Sequence, residues 1–143
     1  MACPRPRSDG RGDPTAFGSD DETVSLPRFA PDGAHIAYVA RPVDDDEAST
    51  ELRVAPVDGG PHRVVARWRE SVRELEWSPD GRHLAFVARD PDEERYGPAG
   101  EPRKEKDMPP RRIERLFKRL DSVGWISDRP SRVFVVDADD RGG

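Results

Sequence analysis

One segment of this chain occurs twice, and this internal repeat constrains the fold more than any other feature. The first copy runs from Val24 to Arg41 and the second from Val72 to Arg89, at a spacing of 48 residues. The apolar positions match pair by pair: Phe29 with Trp77, Ile36 with Leu84, Tyr38 with Phe86, and Val39 with Val87. Such a period is typical of folds in which copies of one supersecondary unit stack on each other.

Each copy has the pattern of a β-hairpin. An alternating strand ends at Phe29 or Trp77, and the tripeptide Pro-Asp-Gly follows one residue later. Proline presets φ at the first corner of a turn, aspartate caps the turn, and glycine tolerates a positive φ. We therefore predict positive φ at Gly33 and Gly81. The next run, Ile36–Val39 in the first copy, is apolar on both faces, as in a strand buried between two layers.

Both copies continue into a third strand, and the first copy also has a fourth. The segment 52–60 matches 133–139, which the second copy reaches only after about 30 extra residues, and 63–66 follows a Gly-Gly-Pro turn. Four antiparallel strands in roughly 45 residues describe one blade of a β-propeller. We predict an all-β fold, a partial β-propeller of about two blades that comprise residues 24–71 and 72–143.

Two segments outside the repeat are predicted to lack regular structure. Residues 1–23 are rich in proline, glycine and charge, with Phe17 as the only large apolar residue, and we predict a disordered leader there. The charged stretch near 90–112 is interrupted by proline and glycine, so we predict a flexible insertion. The second copy ends at a turn, and we expect it to be truncated before its last strand, with apolar runs such as Leu84–Val87 open to water.

The repeat resembles the propeller unit shared by TolB-like proteins and the prolyl oligopeptidase family of serine peptidases. The signature is an aromatic residue, a Ser-Pro-Asp-Gly turn and an aliphatic-Ala-aromatic-Val strand, which Trp77–Gly81 and Leu84–Val87 match in full. The first copy has Ala30 where the family favours serine. The stretches 110–125 and 132–137 are similar to the early propeller of acylaminoacyl-peptidase-like and dipeptidyl-peptidase-like members.

The resemblance implies a longer protein with a propeller of about seven blades and an α/β-hydrolase domain carrying Ser, Asp and His. The rest of that propeller, the hydrolase domain and peptide substrates are the partners it implies. In that family the propeller restricts which peptides reach the nucleophile. We therefore interpret this chain as a non-catalytic, amino-terminal propeller segment of such a peptidase. The alternatives are a TolB-like module that binds another protein and a non-functional remnant.

No catalytic, cofactor-binding or metal-binding residue is predicted in this chain. Its 143 residues contain no Gly-x-Ser-x-Gly nucleophile elbow. His35 and His83 occupy the same position after their turns, and His62 lies beside a proline, so all three histidines are interpreted as surface residues. The acidic run 44–47 lacks the spaced oxygen ligands around a glycine that a calcium loop requires.

The remaining observations bear on partners and location. A net charge of −5 without a basic face argues against nucleic-acid binding. There is no apolar run of membrane-spanning length, so we expect no membrane insertion and a cytoplasmic location. The stripe formed by Ile113, Leu116, Phe117 and Leu120 has helical spacing, whereas the family resemblance implies an extended segment; both remain open, with the strand preferred.

Overall fold

The computed structural model describes residues 14–45, 49–110, 119–120, 124–125 and 128–139. Its strands are β1 (Glu22–Phe29), β2 (His35–Pro42), β3 (Thr50–Pro56), β4 (Arg63–Trp68), β5 (Val72–Trp77), β6 (His83–Arg89), β7 (Arg119–Leu120), β8 (Gly124–Trp125) and β9 (Ser131–Asp137). The helical elements of the described ranges are one turn of α-helix, α1 (Glu93–Tyr96), and a 3₁₀ turn at Glu105–Asp107. The predicted all-β fold is confirmed.

The strands form two main antiparallel sheets, one for each copy of the repeat. Sheet 1 has the order β1-β2-β3-β4, and sheet 2 has the order β5-β6-β9. Among the residues that the structure describes, strands β7 and β8 form a separate two-stranded sheet. Within the described residues, β9 pairs on one side only and is therefore an edge strand of sheet 2.

The Pro-Asp-Gly turns join the first two strands of each sheet as predicted. The amide of Gly33 donates to the carbonyl of Ala30 at 2.9 Å, and that of Gly81 donates to Ser78 at 2.9 Å. The φ angles of the two glycines are 68° and 72°. This left-handed region favours glycine because a side chain there meets the backbone, so the prediction for both positions is confirmed.

The main hydrophobic core lies between the two sheets. Sheet 1 contributes Ala37, Val39, Leu52, Val54 and Val65, and sheet 2 contributes Leu75, Leu84, Phe86 and Ala88. Leu84 is 0% exposed and Phe86 is 3% exposed. The expectation that this run would be open to water is therefore wrong for these two residues, because sheet 1 covers the face of β6 on which they lie.

Two tryptophans hold the sheets together through polar as well as apolar contacts. The indole Nε1 of Trp77 donates to the carbonyl of Arg28 at 3.0 Å, and that of Trp68 donates to Arg89 at 2.8 Å. The Trp68 ring also lies 4.3 Å from the ring of Phe134, centroid to centroid. Trp68 therefore packs between the two sheets.

The amino-terminal segment differs from the predicted leader. Residues 1–13 lie outside the described part of the chain, but 14–21 lie against sheet 1, and β1 begins at Glu22. The ring of Phe17 packs 5.7 Å from that of Tyr38. The single large apolar residue of this segment thus has a partner that sequence composition does not reveal.

The insertion is attached to the end of sheet 1. Asp92 caps α1 by accepting from the amide of Glu94 at 3.0 Å. Arg69, just after β4, donates to the carbonyls of Gly97 at 2.6 Å and Tyr96 at 3.1 Å. The described part of the predicted flexible insertion therefore contains a capped helical turn with defined contacts. The helix or strand choice at 113–120 lies outside the described residues, except for the two residues of β7.

Candidate functional site

Two of the three histidines, His35 and His83, lie beside carboxylates, and His62 is exposed. His35 Nδ1 is 3.0 Å from Asp32 Oδ2, and His83 Nε2 is 3.1 Å from Asp137 Oδ1, with both histidine side chains more than a third exposed. A general base must also reach the hydroxyl that it activates. The nearby hydroxyl of Ser78 instead accepts from the backbone amide of His83 at 3.0 Å. The absence of catalytic residues stays a prediction.

The two turn aspartates are held ionised by the turns themselves. Asp32 Oδ1 accepts from the amide of Ala34 at 2.8 Å, and this bond is the main reason that the pKa of Asp32 is lowered. The hydroxyl of Ser78 donates to Asp80 at 2.5 Å and is the first cause of the lowered pKa of Asp80. Hydrogen bonds that favour the charged form lower a carboxyl pKa. Such carboxylates suit turn capping and are poor proton donors near neutral pH.

A polar cleft of about 320 Å³ lies between the two turns. Its lining includes Asp32, Asp80, Asp139, Arg63 and Arg82. Arg63 donates to the carbonyl of Ala138 through Nη2 at 2.6 Å and Nε at 3.1 Å. The Arg63 guanidinium thus joins β4 of sheet 1 to the residue that follows β9. We therefore interpret the cleft as part of the contact between the two sheets.

The absence of a metal site stays a prediction. Among the described ranges, no three or more His, Cys, Asp or Glu side chains are grouped as metal ligands would be. In the acidic run 44–47, Asp44 and Asp45 are exposed, and the other two residues lie outside the described part. The helices in the part of the chain that the structure describes are too short to cross a membrane.

The outward face of sheet 2 carries exposed apolar side chains in the part of the chain that the structure describes. We call Ala85, Val87, Val133 and Val135 the open face, since register places them together on the side of the sheet opposite Leu84 and Phe86. Val133 is 68% exposed and Val135 is 63% exposed. A cluster of exposed β-branched residues beside an edge strand is typical of an interaction surface.

The repeat relates this open face to a buried one. Val133 and Val135 occupy the positions that Leu52 and Val54 hold in the first copy. Those two residues are only 2% and 1% exposed, because sheet 2 packs over them. The open face of sheet 2 therefore has the same sequence pattern as the inner face of sheet 1, but no sheet of the described residues covers it.

The opposite end of the stack carries a buried ion pair that sequence reasoning missed. Arg53 is 8% exposed and binds Glu22 through two short contacts of 2.5 and 2.9 Å, with Glu51 2.7 Å away. The Arg53 hydrogen bonds lower the pKa of Glu22 to about 2, and Glu22 in turn raises the pKa of Arg53. The available signal was the repeat itself, in which Arg53 occupies the position of Phe134.

The known proteins to which this chain is similar, in sequence and in structure, are peptidases. A tricorn protease homolog 2 of Streptomyces coelicolor is 38% identical over 60 residues, which are 42% of this chain and 5% of that protein. Acylaminoacyl peptidase in complex with Z-Gly-Gly-Phe-chloromethyl ketone superposes with a TM-score of 0.57 at 21% identity, over 80% of this chain and 16% of that one. The predicted resemblance to prolyl oligopeptidase-type peptidases is confirmed.

A second solved structure gives the same result. Acylaminoacyl peptidase of Pyrococcus horikoshii superposes with a TM-score of 0.56 at 20% identity, over 81% of this chain and 16% of that chain. No family model matches the chain. The chain thus has the fold of a propeller-like segment of such a peptidase, and it spans a small fraction of the length of each protein that it matches.

Proposed function

We propose that this chain is a non-catalytic propeller segment of a prolyl oligopeptidase-type peptidase, in which it helps to restrict the access of peptides to a separate hydrolase domain. The observation that carries the proposal is the open face of sheet 2. It repeats the pattern of a face that a neighbouring sheet covers within the same chain. The similarity of the chain to proteins that are named as peptidases supports the same interpretation.

The open face fits a third sheet of the same repeat. Sheet 2 covers Leu52 and Val54 with Leu84 and Phe86, and its Trp77 donates to the carbonyl of Arg28. A third sheet would place its equivalent aromatic residue against the carbonyl of the residue that matches Arg28, which is Glu76. Burial of the open face would then remove the exposed apolar area of Val133 and Val135 from water.

In a peptidase, such a stack of sheets would act as a rigid barrier beside the hydrolase domain. Sheets that pack face to face give a rigid wall, because their interiors are close-packed and resist deformation. A wall beside a hydrolase domain excludes folded proteins and admits flexible peptides of limited size. Under this proposal the chain contributes shape, while the nucleophile, acid and base belong to the hydrolase domain.

The first test is hydrolysis by the isolated chain. We expect no turnover of acyl-aminoacyl, aminoacyl or prolyl chromogenic peptides by the purified 143-residue chain. Any turnover is compared with that of a His35→Ala, His83→Ala double variant, to expose contaminating peptidase. Turnover that a serine-directed inhibitor blocks and that the double variant lacks would overturn the non-catalytic assignment.

The second test concerns the longer protein. DNA directly downstream of this coding sequence is expected to encode further repeats and a Gly-x-Ser-x-Gly elbow in the same frame. A TolB-like interaction module is the alternative function that the repeat supports. A reading frame with further repeats but no nucleophile elbow would favour that alternative over the peptidase.

A further inference from the structure

The outer side of sheet 1 is the repeat equivalent of a buried face. We call Ile36, Tyr38, Ala40 and Ala55 the end face of sheet 1; they correspond to Leu84, Phe86, Ala88 and Val136 of sheet 2. In sheet 2 these residues pack on sheet 1. The end face of sheet 1 therefore has the pattern of a surface on which another sheet would dock.

The chain's own amino-terminal segment occupies this face. Phe17 packs on Tyr38 with ring centroids 5.7 Å apart, much as Trp68 of the neighbouring sheet packs on Phe86 at 6.2 Å. Tyr38 is consequently only 2% exposed. Phe17 thus takes the place of an aromatic residue that a docked sheet would supply.

The end face is also more polar than its equivalent in sheet 2. Arg53 stands where Phe134 stands in the second copy, and it is paired with Glu22 and Glu51. A docked sheet would bury these charges further, at a cost in desolvation. In stacked-repeat proteins, polar outer faces of this kind oppose the stacking of a further unit.

The rim of the stack beside the end face stays open. Phe29 occupies the position of Trp77 and is 69% exposed, whereas Trp77 is half-buried against sheet 1. The amino-terminal segment therefore blocks the docking of another sheet over Tyr38 but leaves Phe29 accessible. The block depends on one short segment.

The two ends of the stack are complementary to each other. The open face of sheet 2 repeats the inner face of sheet 1, and the end face of sheet 1 repeats the inner face of sheet 2. The two inner faces pack together inside this chain. The same pairing between two copies would be a head-to-tail contact, which adds one chain after another and forms a ring or an open oligomer according to the rotation between the chains.

We propose that residues 14–22 form an end cap, which closes the end face of sheet 1 to the open face of a second copy of this chain. The cap acts through the ring of Phe17 on Tyr38 and through the pairing of Glu22 with Arg53. Removal of the cap therefore permits head-to-tail association. This inference requires only the repeat and the burial pattern, so it stands apart from the peptidase assignment.

The test compares two charge-matched variants of the full chain by sedimentation velocity over a range of protein concentrations. Phe17→Asp places a carboxylate against Tyr38 and lifts the cap, whereas Ala16→Asp adds the same charge at an exposed position of the same segment. We expect the weight-average mass of Phe17→Asp to rise with concentration to about twice the 16.0 kDa monomer or more. We expect Ala16→Asp to follow the unmodified chain.

A mixing experiment identifies the faces involved and guards against simple misfolding. Adding Val133→Asp and Val135→Asp to the Phe17→Asp variant blocks its open face and leaves only its end face free. This triple variant should not self-associate, and it should form a one-to-one complex with the unmodified chain, whose open face is free.

The outcomes separate cleanly when the circular dichroism spectra of the variants match that of the unmodified chain. A mass for Phe17→Asp equal to that of Ala16→Asp would overturn the cap. Association of Phe17→Asp that persists in the triple variant would also overturn it, because the contact would not use the open face. If Phe17→Asp loses the β-sheet spectrum, Phe17→Ala is compared with the unmodified chain instead. A weight-average mass of Phe17→Ala that rises with concentration supports the cap, and a mass equal to that of the unmodified chain overturns it.

Discussion

The contrast between two valines at equivalent positions of the repeat gives a direct test of the burial pattern. Val54 is 1% exposed in sheet 1, and Val135 is 63% exposed in sheet 2. Truncation of either to alanine is the same chemical change, the loss of two methyl groups. Each variant is therefore the control for the other, since the two substitutions differ only in how deeply the valine is buried.

The expected cost follows from the area that each side chain removes from water. At about 0.8 kcal/mol per buried methylene, Val54→Ala loses about 1.6 kcal/mol of transfer free energy. The cavity between the sheets adds to this, giving a total of about 2–3 kcal/mol. Val135 buries only about a third of its side chain, so Val135→Ala should cost about 0.5 kcal/mol.

The measurement is urea unfolding followed by tryptophan fluorescence, since Trp68 and Trp77 lie between the sheets. With a slope of about 1–3 kcal/mol/M, Val54→Ala should lower the midpoint by about 1 M and Val135→Ala by a few tenths. Equal costs for the two variants would refute the burial pattern. In a longer protein that covers the open face, the cost of Val135→Ala should rise to that of Val54→Ala.

The remaining predictions concern a turn and the end cap. Gly81→Val should lower the unfolding free energy by about 1–2 kcal/mol, because φ is 72° there, and an unchanged urea midpoint would contradict this. The pKa of Glu22 is about 2 in the folded chain against an ordinary value of 4.5, so its contribution to stability is complete above the higher value and is lost as pH falls toward the lower one. The urea midpoint of the unmodified chain should therefore drop over this pH window, and Glu22→Gln should show a smaller drop; identical pH profiles would show that the ion pair with Arg53 does not stabilise the fold.

Local elements of this fold could be predicted from sequence because their causes are local. The Pro-Asp-Gly turns, the strand ends at Phe29 and Trp77 and the positive φ of Gly33 depend on the residues of the turn itself. The third strand of the second copy was also predicted, in the segment 133–139, because the repeat marks it despite the insertion; the observed strand is Ser131–Asp137. The absence of a nucleophile elbow is likewise a property of the sequence alone.

The partners of the strand faces could not be predicted, because they depend on residues far away in the chain. Strand β2 is apolar on both faces, so alternation does not say which face meets a sheet and which meets the segment around Phe17. Glu22 and Arg53 are 31 residues apart and meet only because β1 and β3 flank the same strand. Sequence by itself determined the unit and its repetition; the tertiary structure decided which copy of each face is covered, since burial depends on the neighbouring sheet and not on the strand.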